Sequence, residues 1–458
     1  MLRLAETAKL LNGQHHGRDV EFTSVGSDSR QVMPGMLFVA LQGERFDGHE
    51  FVRAVIAAGA AAALVSAEWA ATQTDLPLVG VTDTRLALGT LAAQWRARFS
   101  LPLIGITGSN GKTTVKEMCA AILRADFGQN TVLATSGNLN NDIGLPLTLL
   151  KLHTPHHAAV IEMGMNHAGE IDYLTRIARP TVALVNNAQR AHLAGLGTVE
   201  AVARAKGEIF AGLGEHGTAV INADDPFSEM WRAMNAGRRV ISFGFSPAAD
   251  VHGEWREHGF GGELQLATPL GKATIQLPVP GQHNARNALA AAATCIAAGV
   301  PLAPIVRGLT TYDGVRGRLQ KQPGLGGAQV IDDSYNANPD SMRAAIDVLA
   351  ALPGRRIFVM GDMGEVGESA GQLHAEIGGH AKSQGIDALL ALGEKSLAAV
   401  HDFGAGAEHF TKVEALTARL KPLLDRDTVV LVKGSRFMRM ERIVDAITEK
   451  AEETPDAA

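Results

Sequence analysis

Residues Gly105–Met118 read GITGSNGKTTVKEM, and the reading of this stretch decides the rest. It closes in Gly-Lys-Thr as a phosphate-binding loop does. The common form of that loop, however, needs a glycine, four residues, then Gly-Lys-Ser/Thr. Counted back from Gly111, that glycine falls on Ile106, whereas the glycines present are Gly105 and Gly108. The flanks favour a loop of altered spacing over a chance glycine-rich turn. LPLIGIT (Leu101–Thr107) is a strand candidate, and Val115, Met118, Cys119 and Ile122 follow at i, i+3, i+4 and i+7, the period of a helix. The turn therefore sits at a helix N-terminus, where free N–H groups and the helix dipole attract an anion. Gly108 and Gly111 would let the backbone approach phosphate, Lys112 would reach the outer phosphates, and the Thr113 hydroxyl could ligate Mg²⁺. The bland alternative is a helix start carrying a solvated lysine.

Working outward, apolar runs alternate with helical patterns along most of the chain, which predicts α/β layering with largely parallel sheets. At 458 residues the length suggests about two to four domains, and three blocks emerge. The first, residues 1–84, holds the strand-like MLFVAL (Met36–Leu41) and AAALVS (Ala61–Ser66). TRLALGTLAAQWRARF (Thr84–Phe99) then reads as a connector helix. The second, 85–314, contains AAVIEMG (Ala158–Gly164), TVALVNN (Thr181–Asn187), TAVINADD (Thr218–Asp225) and RRVISFG (Arg238–Gly244), each an apolar run closing on polar or small residues. A partial period of two across Glu263–Pro278 predicts a small antiparallel ribbon. The third, 315–458, carries AQVIDD, RIFVMGD, DALLALG and TVVLVKG, separated by helical patterns as in a doubly wound dinucleotide-type sheet. Its strand ends bear Asp332, Asp333, Asp362 and Lys433. The polar tail TEKAEETPDAA (Thr448–Ala458) is expected to fray.

Composition bounds the partners. Hydrophobic residues make up 46% and charged residues 20%, as in an ordinary globular protein, and the net charge of −6 gives no reason to expect nucleic acid. With only Cys119 and Cys295, both in alanine-rich apolar surroundings, a disulfide framework is not expected and a reducing compartment is. The run Ala54–Ala67 is too short and too rich in alanine to span a bilayer, and Gly59 divides it into a helix end and a strand. A cytoplasmic protein without membrane insertion is the expectation.

Further candidates follow the loop. Glu162 ends an apolar strand; alone it reads as a solvated carboxylate, but beside a phosphate loop a hard oxygen ligand suits Mg²⁺. His192, in a loop after the next strand, could bind a metal or position a phosphoryl group, although a lone loop histidine often does neither. Lys206 lies on a helical pattern and reads as a surface lysine. Asn284, Arg286 and Asn287 open an alanine-rich helix, where they could recognise a nucleotide or serve as caps and ion-pair partners.

Together these segments resemble the Mur ligase family, ATP-dependent amide-forming enzymes of peptidoglycan precursor synthesis. The family's loop, T-G-[ST]-[NS]-G-K-[ST], is matched by Thr107, Gly108, Ser109, Asn110, Gly111, Lys112 and Thr113. GNLNNDIGLPLTLL (Gly137–Leu150), IEMGMNHAGEI, HLAGLGT, NADDP, HNARNALAA, GRLQ, DDSYNANPDSM (Asp332–Met342) and VKGSR follow in family order over nearly the whole chain. DDSYNANPDSM and MGDMGEVGESA (Met360–Ala370) are similar to the last ligase of the series, while the NPR-type motif of the preceding one is missing, since Asp340 follows Asn338 and Pro339.

The resemblance implies three domains: a small α/β domain for the UDP-sugar end, a central mononucleotide-binding ATPase domain and a mobile Rossmann-like C-terminal domain. It implies ATP and Mg²⁺ as cofactors, and UDP-N-acetylmuramoyl-tripeptide and D-alanyl-D-alanine as the molecules joined, by a monomer. By matched motif, Ser29 and Arg30 lead as UDP-sugar contacts, with an intradomain salt bridge the alternative for Arg30. Thr113, Glu162 and His192 take the magnesium roles. Asn284, Arg286, Arg318 and Asp333 join the loop as ATP-side residues. Asn138, Asn140, Asn141, Asn336 and Asn338 fall to the substrates, and Lys206 matches a lysine that is carbamylated in several relatives. The competing readings are a folylpolyglutamate-type or other amide ligase, and a P-loop kinase or regulatory ATPase.

Overall fold

The computed structural model describes residues 1–44 and 46–449; the expected frayed tail lies, beyond Glu449, outside the described residues. Three mostly parallel sheets carry the chain. The first orders Gln14–His16, Leu78–Val81, Ala62–Ser66, Met36–Val39 and Ser24–Gly26, parallel except at the Gln14–His16 edge. A separate two-stranded ribbon, Leu2–Arg3 with Glu21–Phe22, lies beside it. Gly59, with φ of 111°, closes the turn between the helix Val52–Ala57 and the strand Ala62–Ser66.

The second sheet has nine strands. From one edge they run Val132–Ala134, Ala158–Glu162, Leu103–Thr107, Val182–Val185, Thr218–Asn222, Arg239–Gly244 and Val251–His258, all parallel. Gly261–Thr268 and Gly271–Leu277 then extend the sheet antiparallel. The small antiparallel ribbon expected over Glu263–Pro278 is present, and Val251–His258 adds a third strand to it. Val251–His258 was missed because only its first half alternates: Trp255 to His258 face solvent or lie half-buried, so the apolar signal fades.

The strands read as continuous apolar runs because both faces of the sheet are covered. Leu103, Ile161, Val185 and Ile221 turn to one face, and Ile104, Ile106, Val160, Leu184 and Val220 to the other. The second face is roofed by the helices Lys112–Phe127 and Gln282–Ala297, the latter burying an unbroken run from Ala288 to Ala293. Small side chains let the two helices lie close to the sheet and to each other. The first face is covered partly by the helix Thr84–Arg96, whose Leu88 and Leu91 belong to a core that continues into Leu37, Val39 and Leu64 of the first sheet. This connector is therefore a shared wall.

The third sheet orders Gln320–Pro323, Gln329–Asp333, Thr428–Lys433, Arg355–Gly361, Ala388–Leu392 and Ala407–Phe410. All neighbours are parallel except the Gln320–Pro323 edge. Both edge strands escaped the sequence reading, since QKQP and AEHF are half-exposed and carry no apolar run. The four central strands matched it. Their carboxyl ends bring Asp333 and Lys433 into register as neighbours, at the crevice where ligands of such sheets gather.

Candidate active site

Thr107 ends its strand and Gly111 caps the helix Lys112–Phe127 with φ of 78°, a left-handed backbone that only glycine adopts cheaply. A Cβ there would also stand 2.4 Å from Asn287 Oδ1. The loop is held from outside by residues the sequence reading passed over. Asn110 N–H donates to Asn187 Oδ1 at 2.9 Å, Ser109 N–H to Asn187 O at 3.0 Å, and Asn186 Nδ2 to Asn110 O at 2.9 Å. Gln189 N–H donates to Ser109 Oγ at 2.9 Å. The signal was present in NNAQ after a strand, but amides tying one loop to another leave no periodic trace. Lys112 Nζ folds back onto Gly108 O at 2.8 Å, and burial pushes its ammonium below its ordinary range, an effect that Glu162 opposes.

Glu162 ends the adjacent strand almost wholly buried. Thr113 Oγ1 donates to its Oε2 at 3.0 Å and Asn140 Nδ2 to its Oε1 at 2.7 Å. Among the described residues no cluster of three or more His, Cys, Asp or Glu is grouped to hold a metal. A magnesium ion needs less from the protein, since it keeps waters and takes a carboxylate or two with phosphate oxygens. The carboxylate and hydroxyl beside the loop suit it in kind. His192 lines the same cavity as Glu162 but faces the third domain: its Nδ1 approaches Glu365 Oε2 to 2.8 Å, aligned too poorly to count as a formed hydrogen bond.

The loop is the common wall of two cavities. Asn110 and Gly111 line one, together with Asn284, Arg286, Arg318 and Asp333. Ser109 and Lys112 line the other with Glu162, His192, Asn138 and Asn336. This second cavity measures about 570 Å³, within the range of small-molecule sites. The third domain closes both. Asn338 exchanges amide hydrogen bonds with Asn110, at 2.8 Å and 3.3 Å. Arg190 spans the boundary, bonding Asp340 at 2.7 Å and 3.0 Å and Glu376 at 2.8 Å and 3.1 Å.

Models of three parts of one family match the chain in succession: Mur ligase family, catalytic domain, over residues 21–96; Mur ligase middle domain over 106–295; and Mur ligase, glutamate ligase domain, over 317–436. The UDP-N-acetylmuramoyl-tripeptide–D-alanyl-D-alanine ligase of Escherichia coli (strain K12) is 46% identical, covering 97% of this chain and 98% of its own. The chain belongs to the Mur ligase family. A crystal structure of MurF from Acinetobacter baumannii is 37% identical with a TM-score of 0.90, over 96% of this chain and 97% of that one. MurF of Thermotoga maritima, solved in complex with ADP, is 27% identical with a TM-score of 0.81, over 92% and 96%.

As a member of that family the protein is an ATP-dependent amide ligase of mixed α/β fold. In this Mur ligase most residues singled out by sequence come together at the two cavities. Asn140 and Asn141 line the second, Asn141 also capping the turn at Gly144 N–H, 2.8 Å away. Arg286 lies 3.5 Å from Asp224 and over Phe245, and Asn284 Nδ2 bonds Pro280 O at 2.8 Å. Asp333 pairs with Lys433 at 2.6 Å. Burial pushes that carboxyl up and that ammonium down, and each charge opposes the shift of the other. Arg318 stacks 4.2 Å from the Tyr335 ring centroid, its buried Nε without a partner.

Others stand away from the cavity walls. Thr107 is fully buried and donates to Met163 O at 3.0 Å, so its side chain ties strands together. Ser29 and Arg30 lie in the first domain away from both cavities, and the exposed Arg30 pairs with Asp28 at 2.8 Å, the salt bridge set against a ligand role. Lys206 corrects the surface reading: it is 1% exposed, on the helix Val199–Gly207. Burial, then the nearby Lys112, hold its amine well below the usual lysine range. The helical period put it on a face; only the packing showed which. The reading also passed over Arg190, Glu365 and His283, whose partners or cavity walls lie far away in sequence. Among the described residues no helix is long and apolar enough to cross a membrane.

Proposed function

We propose that this ligase joins D-alanyl-D-alanine to UDP-N-acetylmuramoyl-tripeptide, with ATP converted to ADP and phosphate. One observation carries the reading: the phosphate loop walls both cavities, so a nucleotide on one side can present its terminal phosphate to an acyl group on the other. The substrate names of the E. coli relative agree with it. The division at 1–84, 85–314 and 315–458 assigns the UDP-sugar end to the first part, ATP to the second and the dipeptide to the third. The ligase works as a monomer in the cytoplasm, where its two buried, unpaired cysteines stay reduced.

A carboxylate is a poor acyl donor, because its leaving group would be oxide. The tripeptide carboxylate first attacks the γ-phosphorus of ATP; an O–P bond forms, the bond to ADP breaks, and an acyl phosphate results. The dipeptide amine then attacks the carbonyl carbon, losing a proton as the C–N bond forms, while the C–O bond breaks and phosphate departs. Lys112 and the loop N–H groups offset the repulsion between the two anions of the first step and hold the charge that develops on the transferring oxygens. Thr113 and Glu162 would hold a magnesium ion, with His192 at the cavity wall, and such an ion would neutralise phosphate charge. Asn284, Arg286, Arg318 and Asp333 surround the nucleotide. Asn138, Asn140, Asn141, Asn336 and Asn338 supply amides around the acyl substrate, and contact of the third domain at Asn338 and Arg190 excludes water from the acyl phosphate. Lys206, buried and short of protons, suits carbamylation, which needs a neutral amine.

Phosphate release tests the whole reading: it should require both the UDP-muramoyl tripeptide and D-alanyl-D-alanine. Release with either alone, or with glutamate and a folate, would overturn it.

A further inference from the structure

The incoming dipeptide carries an ammonium at the end that reacts and a carboxylate at the other. If its amine stands by Lys112 and Glu162, its carboxylate lies about 7 Å away, the span of two extended residues. The third domain supplies much of the second cavity's wall, with Tyr335, Asn336, Gly364 and Arg436 among its residues, and so offers a place for it. The same cavity is lined by Glu162, Glu170 and Glu365, so a further carboxylate needs a cation to enter.

Among the described residues of this cavity the arginines and lysine are Lys112, Arg190, Arg318 and Arg436. Lys112 is committed to the phosphate loop. Arg190 is saturated by Asp340 and Glu376. Arg318 also lines the nucleotide cavity and so stands at the phosphate end. Arg436 remains. Its side chain is 59% exposed, and only Nη1 is engaged, by Glu441 Oε1 at 3.1 Å. The backbone beneath it is rigid: Ser435 Oγ accepts from Gly364 N–H at 2.7 Å and donates to Ala337 O at 3.2 Å. The guanidinium lies 5.7 Å from the Tyr335 ring centroid. Next to it Phe437 offers a large apolar surface, 63% exposed, with Ala337 and Val366 on the same cavity, which suits methyl-sized side chains.

We propose that Arg436 receives the terminal carboxylate of the incoming dipeptide and so determines that the acceptor must carry one. The inference rests on the proposed function and adds the residue that selects its second substrate. A guanidinium matches a carboxylate fork to fork, two N–H groups to two oxygens.

The test compares D-alanyl-D-alanine with its C-terminal carboxamide in the full-length enzyme, by phosphate release with saturating ATP and UDP-muramoyl tripeptide. Wild type should lose about ten- to a hundredfold in kcat/KM on the carboxamide, the worth of a charge-assisted hydrogen bond. Arg436→Gln should lose a similar factor on the dipeptide, chiefly in KM, and discriminate the two acceptors less than twofold, with KM for ATP and the tripeptide unchanged. Arg436→Lys should recover part of the preference. If wild type releases phosphate in response to dipeptide and Arg436→Gln still discriminates as strongly as wild type, the assignment to Arg436 falls alone. If wild type shows no dipeptide-dependent release, the proposed function falls and the assignment with it.

Discussion

Replacing Arg190 by Met keeps most of the side chain's length and removes the charge that joins the central and third domains. In the structure this guanidinium makes four contacts of 2.7–3.1 Å to two carboxylates. The three side chains are 23–32% exposed, so screening by water is partial. Hydrogen bonds to charged groups contribute about 1.5–3 kcal/mol and exposed pairs about 0.2–1 kcal/mol. A value of roughly 1 kcal/mol per carboxylate lies between, giving about 2 kcal/mol for the latch and about a thirtyfold weaker closed arrangement. The loss also leaves Asp340 raising the pKa of Glu376 with only Arg343, 3.4 Å from Glu376, to oppose it. Domain closure can be read by energy transfer between dyes on introduced surface cysteines, because Cys119 and Cys295 are buried and label poorly. Wild type should open as salt rises from 0.1 to 1 M, where the screening length falls from about 10 to 3 Å. Arg190→Met should start more open and respond weakly. A cycle with Asp340→Asn should give a coupling of about 1 kcal/mol and cancel the contribution of Asp340 to its own helix N-terminus. A closed population shifted less than twofold, with no coupling in the cycle, would refute the reasoning.

Lys112→Ala should abolish ATP-dependent turnover with the fold intact by circular dichroism; near-normal phosphate release by the folded variant would sink its role. Gly111→Ala forces a side chain into a left-handed backbone and to within 2.4 Å of Asn287 Oδ1. Calorimetry should show nucleotide affinity down at least tenfold and denaturation a loss of about 2 kcal/mol; wild-type binding would contradict the close approach. His283, on the nucleotide cavity, has its pKa pushed down to about 4 by burial, with Lys433 and Arg286 adding to the effect. An unfolded histidine titrates near 6.5, so between about pH 6.5 and 4 the unfolded chain binds a proton that the folded one refuses. The contribution of His283 to stability should fall by about 3 kcal/mol over that window and level off below it, measured as the difference from His283→Gln in denaturant melts. An NMR titration midpoint at or above 6.5 would exclude it.

Much of the fold was legible because its strands are covered on both faces. TVALVNN and TVVLVKG are apolar throughout since neither side of those sheets meets water, and the adjoining helices show their period. The edge strands Gln320–Pro323 and Ala407–Phe410 were invisible for the opposite reason, half-exposed with no pattern to read. Within the site, the loop, Glu162 and the amides Asn138, Asn140 and Asn338 were readable because each sits at the end of a recognisable element or motif. Asn187, Glu365 and Arg436 were not, as each acts across a gap that sequence distance conceals.

By itself, then, the sequence determined the family, the phosphate loop of altered spacing and which segments form the sheets' central strands, while the order in which those strands pair came from the structure. The first three rest on short-range regularities: periodicity, glycine conformational freedom and contiguous motifs. Only the tertiary structure decided that Lys206 is buried rather than solvated, that Thr107 ties strands and that Arg30 pairs with Asp28. It also decided that the third domain bonds the phosphate loop through Asn338 and the central domain through Arg190. Burial and long-range pairing depend on which elements pack together, and Arg190 and Glu376 meet across 186 residues. No local pattern in the chain encodes such a meeting.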